Sequence, residues 1–192
     1  MDIKKENVLA AYETARKAGA DSTMKVLEQL FGEETFKPKD ITERIKTFED
    51  ACRELGNGHP FVCAYRAWEN GGLNGQEDID AYLKLRIICA ALNEGWEPQF
   101  TEDERRYYPW FWLYTQAEID SMDEEERQDR RMMSTGDYQT DYAGFAFANS
   151  IYAPSTTAAD FGSRLCLKSD TLAVYCGKQF IDLWADFYLI RK

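Results

Sequence analysis

Residues 107–114 read YYPWFWLY, and at this stretch the chain changes from helical to strand-like patterning. Aromatic residues are enriched in strands, and the run lacks the three- and four-residue spacing of an amphipathic helix. Pro109 has no N–H to give to a sheet, so we expect this strand at a sheet edge or at a strand start. Strand alternation places four aromatic side chains on one face: Tyr108, Trp110, Trp112 and Tyr114.

These four side chains are the candidate binding residues of the chain. If helices cover one face of the strand, the other face still presents large rings. An exposed aromatic surface normally marks a binding site for a protein, a sugar or a nucleobase. The alternative is that both faces are covered and that every ring belongs to the core.

The segments that follow predict a small sheet and a terminal helix. Residues 143–151 and 163–168 alternate between apolar and polar or small side chains, which predicts two further strands in an antiparallel meander. Residues 170–189 carry one wide apolar face and predict a single long helix, capped by Ser169 or Asp170. Gly177 lies on that face, where its small size favours close approach to the sheet.

The preceding half of the chain is helical in pattern. Helices are expected over 6–18, 22–31 and 40–55, the last with Asp40 as its N-cap, and a short helix is expected over 61–69. Residues 77–94 are apolar around most of their circumference, which is typical of a central helix.

The fold class is therefore α+β in a single domain, residues 1–192. An N-terminal helical lobe (1–98) is followed by a small antiparallel three-stranded sheet packed against a long C-terminal helix (99–192).

Composition excludes several classes of protein. The 192 residues are 44% hydrophobic, which a disordered chain would not be, and no apolar run approaches the roughly 20 residues of a membrane-spanning helix. Five cysteines at irregular spacings, without a CxxC pair, fit a reduced compartment, and the N-terminus lacks the apolar stretch of a signal peptide. A cytoplasmic location is expected, with the cysteines acting as small apolar residues.

Charge and residue types argue against most catalytic and nucleic-acid sites. Residues 61–132 carry a net charge of −8, which disfavours direct binding to nucleic acid. The acidic run 120–126 lies at consecutive helical positions that do not converge on a metal ion. His59 is the only histidine, and most of the cysteines that could pair with it lie on apolar stripes. No catalytic residue, metal or cofactor is expected, so an enzyme is the less favoured interpretation.

One anion site is a weaker candidate. Arg164, Lys168 and Ser169 precede or open the predicted C-terminal helix, whose free N–H groups would suit a phosphate or a carboxylate. The glycine-rich loop of a P-loop is absent, and capping alone explains Ser169.

Four stretches carry a resemblance: KDITERIKTFEDACRELG (39–56), ALNEGW (91–96), RRYYPWFWLYT (105–115) and GSRLCLKSDTLAVYCGKQFIDLWADF (162–187). Together they resemble a family of uncharacterised proteins from prophages and other mobile elements of gut Bacteroidetes. The resemblance covers most of the chain and is weakest over 57–76 and 132–161. It implies a bacterial cytoplasm and a phage- or element-associated role, and it implies no activity, ligand or catalytic residue.

The function expected from the sequence is that of an accessory protein that binds another protein. Two alternatives stay open at this point. The acidic middle third could act as a DNA mimic that inhibits a host nucleic-acid-binding protein, or the chain could be a small enzyme with an anion-binding pocket.

Overall fold

The computed structural model describes residues 4–72, 75–99, 101, 103–154 and 163–192. The chain divides into two compact units, residues 1–44 and residues 45–192. The sequence predicts one domain with a change of character near residue 98, and the single domain stays a prediction.

The first unit is a small helical assembly. It contains α1 (Lys5–Lys17), α2 (Asp21–Phe31), a 3-10 turn (Glu33–Thr35) and α3 (Ile41–Arg44). The ring of Tyr12 stacks on that of Phe36 with centroids 4.2 Å apart. Its hydroxyl donates a 2.6 Å hydrogen bond to Glu28, and this bond raises the pKa of Tyr12 to about 12.

The second unit contains the remaining helices and the sheet. Its helices are α4 (Phe48–Leu55), α5 (Pro60–Asn70), α6 (Glu77–Leu92), α7 (Gln116–Ser121), α8 (Glu124–Asp129), α9 (Asp170–Gln179) and α10 (Ile181–Tyr188). Its strands are β1 (Arg105–Tyr114), β2 (Met133–Ser134) and β3 (Gly144–Pro154). The predicted α+β class is confirmed.

Helix α6 is the centre of the helical part of this unit, as its apolar circumference predicted. Leu85, Ile87, Ile88 and Leu92 are completely buried. The helix packs against α4, α5, α9 and α10. Among the described residues, no helix is both long and apolar enough to cross a membrane.

The sheet differs from the predicted meander. Within the described residues it has three antiparallel strands in the order β1-β3-β2, so the central strand is the last in sequence. The predicted strand over 163–168 is wrong: Ser163–Leu165 is a 3-10 turn, and Leu167 makes a single bridge to Tyr107. The third strand is β2, for which the sequence predicts no strand.

Two predicted helices are interrupted. The helix expected over 40–55 breaks between α3 and α4, because Thr47 forms a capping box with Asp50 and starts a new helix. The C-terminal helix expected over 170–189 breaks at Phe180, whose φ of −117° and ψ of 33° separate α9 from α10. The charged residues 122–131 also predict a solvated helix, and this prediction is confirmed by α8, which Asp123 caps. The short helix α7, capped by Thr115, precedes it.

Candidate functional site

An aromatic cleft of about 740 Å³ runs along β1. Its volume falls in the range of sites that hold ligands. The described residues that line it are Trp110, Phe111, Trp112, Leu113, Thr115, Glu118, Tyr142, Phe145, Tyr188 and Leu189. Apart from Thr115 and Glu118, all of these side chains are aromatic or aliphatic, so the cleft offers apolar contact above all.

One wall of the aromatic cleft is a packed group of rings. Phe111 stacks on Phe145 of β3 with centroids 4.9 Å apart and planes 17° apart. The same ring lies 5.7 Å from Trp184 and 5.8 Å from Tyr188 of α10. Burial raises the pKa of Tyr188, whose phenol is neutral at physiological pH. This wall is held by the core and needs no ligand to order it.

The other wall is more exposed. Trp110 and Trp112 meet edge to face with centroids 6.4 Å apart. Trp110 is half-buried, whereas 56% of Trp112 is exposed to solvent. A tryptophan ring that is held on a strand by a neighbouring ring loses little conformational entropy when a partner covers it.

Only two of the four predicted binding residues line the aromatic cleft. Trp110 and Trp112 do, as strand alternation indicated. Tyr108 is only 3% exposed and lies in the core. Tyr114 is half-buried, and its hydroxyl accepts a 3.5 Å hydrogen bond from Arg130. The binding role of all four residues stays a prediction.

Sequence reasoning missed the lining residues that come from distant segments. Tyr142 lies in the loop before β3, and Tyr188 and Leu189 lie at the end of α10. Neither segment carries a local pattern that points to β1. Their position depends on the sheet order and on the break at Phe180, which the sequence did not reveal.

The polar corner of the aromatic cleft carries a negative charge. The carboxylate of Glu118 accepts 2.8 Å hydrogen bonds from the backbone N–H and the hydroxyl of Thr115, completing a capping box at the start of α7. These bonds lower the pKa of Glu118. Between residues 115 and 129 the sequence has seven carboxylates and one arginine. The cleft is therefore flanked by an acidic segment.

The residues of the predicted anion site take structural roles. The ammonium of Lys168 forms a 2.8 Å ion pair with Glu94. The hydroxyl of Ser169 accepts a 3.3 Å hydrogen bond from the N–H of Leu172 and caps α9. Arg164 is exposed on the 3-10 turn. Anion binding by these three residues stays a prediction, and the contacts of Lys168 and Ser169 do not favour it.

His59 has a structural role as well. Its Nδ1 accepts a 3.2 Å hydrogen bond from the N–H of Phe61 and caps α5. The thiol of Cys63 donates to the carbonyl of Asn57 at 3.2 Å.

In the part of the chain that the structure describes, no group of three or more His, Cys, Asp or Glu residues could hold a metal ion.

Two smaller clefts, of about 300 and 450 Å³, lie near Glu77 and Asp186 and are more polar. Several of their charged groups already bind one another, among them Arg191 and Asp186. Tyr65 donates a 3.2 Å hydrogen bond to Asp80, and Lys84 forms a 2.7 Å ion pair with the same carboxylate. These clefts present fewer free groups than their composition suggests.

The described residues therefore define an α+β protein with an aromatic cleft at the edge of its sheet. Comparison with known proteins finds no matching protein family, no matching curated protein and no matching solved structure. The resemblance to a mobile-element family stays a prediction that rests on the four stretches quoted above.

Proposed function

We propose that this chain is a non-catalytic protein-binding module, an accessory protein of a phage or mobile element in the bacterial cytoplasm. Its docking surface is the aromatic cleft. The observation that carries the proposal is the exposed ring of Trp112 beside the packed ring of Phe111. Exposed tryptophans beside well-packed apolar walls are typical of the few residues that dominate protein interfaces.

The polar groups of the cleft favour binding over catalysis. A catalytic site brings together titratable groups with free, well-directed atoms. Among the described lining residues Glu118 is the one carboxylate, and it is already bound by Thr115. Tyr188 is 37% exposed, and desolvation of its phenol raises its pKa. The arrangement supplies contact area and one negative charge, and it presents no nucleophile–base pair.

Peptide selection tests the proposal without knowledge of the natural partner. The full chain is panned against a display library of random peptides, and the dissociation constants of the selected peptides are measured by calorimetry. Replacement of a central interface tryptophan costs about 2 kcal/mol, so Trp112→Ala is expected to weaken binding roughly 30-fold.

Tyr152→Ala is the matched control. Tyr152 lies on β3, is exposed to the same extent as Trp112 at 56%, and does not line the cleft. We expect its replacement to change affinity by less than about twofold, as is usual for residues outside an interface. Equal affinities for the two variants, in proteins with unchanged thermal unfolding, would contradict the proposal. Selection that yields no cleft-binding peptides would favour the DNA-mimic or enzyme alternatives.

A further inference from the structure

The outer edge of β1 is partly open. β1 lies at the edge of the sheet, and among the described residues the segment that pairs with its outer side does so through the single bridge between Leu167 and Tyr107. There Tyr107 donates a 3.0 Å hydrogen bond to the carbonyl of Leu167 and accepts one of 2.9 Å from its N–H. After Leu167 the chain turns into α9 and leaves the edge.

Strand alternation identifies the backbone groups that face this open edge. The register shift after Trp110 places the extra residue, Ala148, in β3, so the alternation of β1 continues without a break. Tyr114 faces β3, because its carbonyl accepts from the N–H of Ala143. Phe111 and Leu113 therefore point to the same side as Tyr107.

The backbone groups of Phe111 and Leu113 are available for pairing. Among the hydrogen bonds of the described residues, none joins these N–H or C=O groups to a segment beyond the edge. Natural sheets usually protect an open edge with charged side chains or a proline. Here Pro109 protects the first half, whereas residues 110–114 contain no charge.

The aromatic cleft coincides with this open edge. Phe111 and Leu113 line the cleft, with Trp112 on one side of the strand and Tyr188 on the other. A strand added here would send alternate side chains toward these two rings. Glu118, which follows the end of β1, lines the same cleft with its carboxylate, so a positively charged group of a ligand is favoured there.

We propose that the aromatic cleft binds an extended peptide that adds to β1 as an antiparallel or parallel strand, pairing with Phe111 and Leu113. Its apolar side chains contact Trp112 and Tyr188, and a basic side chain faces Glu118. The proposal rests on the protein-binding function above and specifies the ligand. A second copy of this chain is a poorer occupant, because it carries a net charge of −11 and brings an identical acidic segment.

Backbone methylation of the ligand is the decisive experiment. The probe is the tightest peptide from the display selection, prepared with a single N-methyl group at each amide in turn. In an added strand only alternate amides face the edge, so methylation is expected to weaken binding about tenfold or more with a period of two residues. A uniform or aperiodic pattern overturns the proposal.

Hydrogen exchange of the backbone amides of β1 tests the added strand from the side of the protein. We expect the peptide to slow exchange of the Phe111 and Leu113 amides at least tenfold, measured by NMR, while Tyr107 is already protected by Leu167. Unchanged exchange at both positions overturns the added strand. If Trp112→Ala still weakens the peptide in that case, the protein-binding function stands and only the mode of binding is wrong.

A charge variant tests the basic side chain of the ligand. Glu118→Gln removes the charge and keeps the capping box, since glutamine also serves at that position. We expect it to weaken a basic peptide two- to fivefold at low salt. Glu97→Gln changes the net charge equally at an exposed position outside the cleft, and it should leave affinity unchanged. Equal effects of the two variants, or dimers in light scattering that the peptide disrupts, overturn this ligand assignment.

Discussion

Gly177 of α9 lies so close to Phe147 of β3 that a methyl group at Gly177 would be 2.7 Å from the phenyl ring. The same methyl would lie 2.7 Å from Cβ of Pro109 in β1. The glycine therefore allows the helix to approach both strands. The sequence predicted this role, since Gly177 lies on the apolar face of the terminal helix, and the prediction is confirmed.

Gly177→Ala should destabilise the second unit. Overpacking of a filled core costs about 1–3 kcal/mol, and the better helix propensity of alanine offsets about 1 kcal/mol of this loss. Because the added methyl would lie 2.7 Å from both Phe147 and Pro109, the upper part of the overpacking range applies, about 2–3 kcal/mol. We therefore expect a net loss of about 1–2 kcal/mol in the free energy of unfolding, measured in urea. Gly58→Ala is the control, because no atom lies within 4 Å of the added methyl. A Gly177→Ala protein as stable as the control would contradict the close packing.

Gly144→Ala should be milder despite equally short distances. A methyl group there would lie 2.7 Å from Cδ1 of Ile119 and from Sδ of Met132. Both atoms belong to flexible side chains that can rotate away, unlike the ring of Phe147 or Cβ of Pro109. We expect a loss below about 1 kcal/mol in the same assay. A larger loss than for Gly177→Ala would show that α7 is packed as rigidly as α9.

The parts of the fold that follow from the sequence are those with a strong local pattern. Helix α6 has an apolar circumference, and β1 has a dense aromatic run with a proline. Strand β2 escaped prediction because two residues, Met133 and Ser134, carry no periodicity. Residues 163–168 were mistaken for a strand because they alternate, yet Leu165 and Leu167 are buried from a 3-10 turn and a single bridge.

In the candidate site, too, the sequence predicts what a local pattern determines and misses what depends on tertiary packing. Alternation on β1 identified Trp110 and Trp112 as neighbours on one face. It could not show that Tyr108 is covered, because burial depends on what packs over the strand. The break at Phe180 sets the direction of α10 and thereby the place of Tyr188, and a continuous apolar face gives no sign of such a break.

Thiol reactivity should report the burial of the core. Cys63 is exposed, whereas Cys89, Cys166 and Cys176 are buried. Burial also raises the pKa of Cys166 to about 11, which suppresses its reactive thiolate. We expect a disulfide reagent to modify Cys63 rapidly in the native protein and the three buried thiols only after unfolding. Cys63→Ser should remove the rapid phase, and a rapid phase that persists would contradict this assignment.

Tyr138→Phe should destabilise the protein by about 1.5 kcal/mol. The buried hydroxyl donates a 2.7 Å hydrogen bond to Asp186, and a bond to a charged group contributes about 1.5–3 kcal/mol. The lower value applies because Arg191 still binds Asp186 in the variant. Tyr152→Phe is the matched control at an exposed position and should change stability by less than about 0.5 kcal/mol.

The same variant should change how the free energy of unfolding depends on pH in alkaline solution. Burial and the bond to Asp186 raise the pKa of Tyr138 from 10.0 to about 12. A raised folded-state pKa gives a contribution that is complete below 10 and is lost as pH rises through about 12. The difference in unfolding free energy between the native protein and Tyr138→Phe should therefore shrink over that interval. A constant difference would show that the phenol does not titrate with unfolding.

The capping box at α4 predicts the opposite dependence at acid pH. Thr47→Ala removes the cap and should cost about 1 kcal/mol. Burial favours protonation of Asp50, but hydrogen bonds from the N–H groups of Lys46 at 3.0 Å and Thr47 at 2.9 Å outweigh it and lower the pKa of this carboxyl.

Because the folded-state pKa of Asp50 lies below 3.8, its contribution to stability is complete above that value and is lost as pH falls further. Asp50→Asn should therefore be less stable than the native protein at neutral pH and approach it in acid, in urea titrations across that range. Glu49→Gln, one residue earlier on the exposed side of α4, should show no such convergence. If the stability of both variants changes with pH in parallel with that of the native protein, ionised Asp50 does not stabilise the capping box.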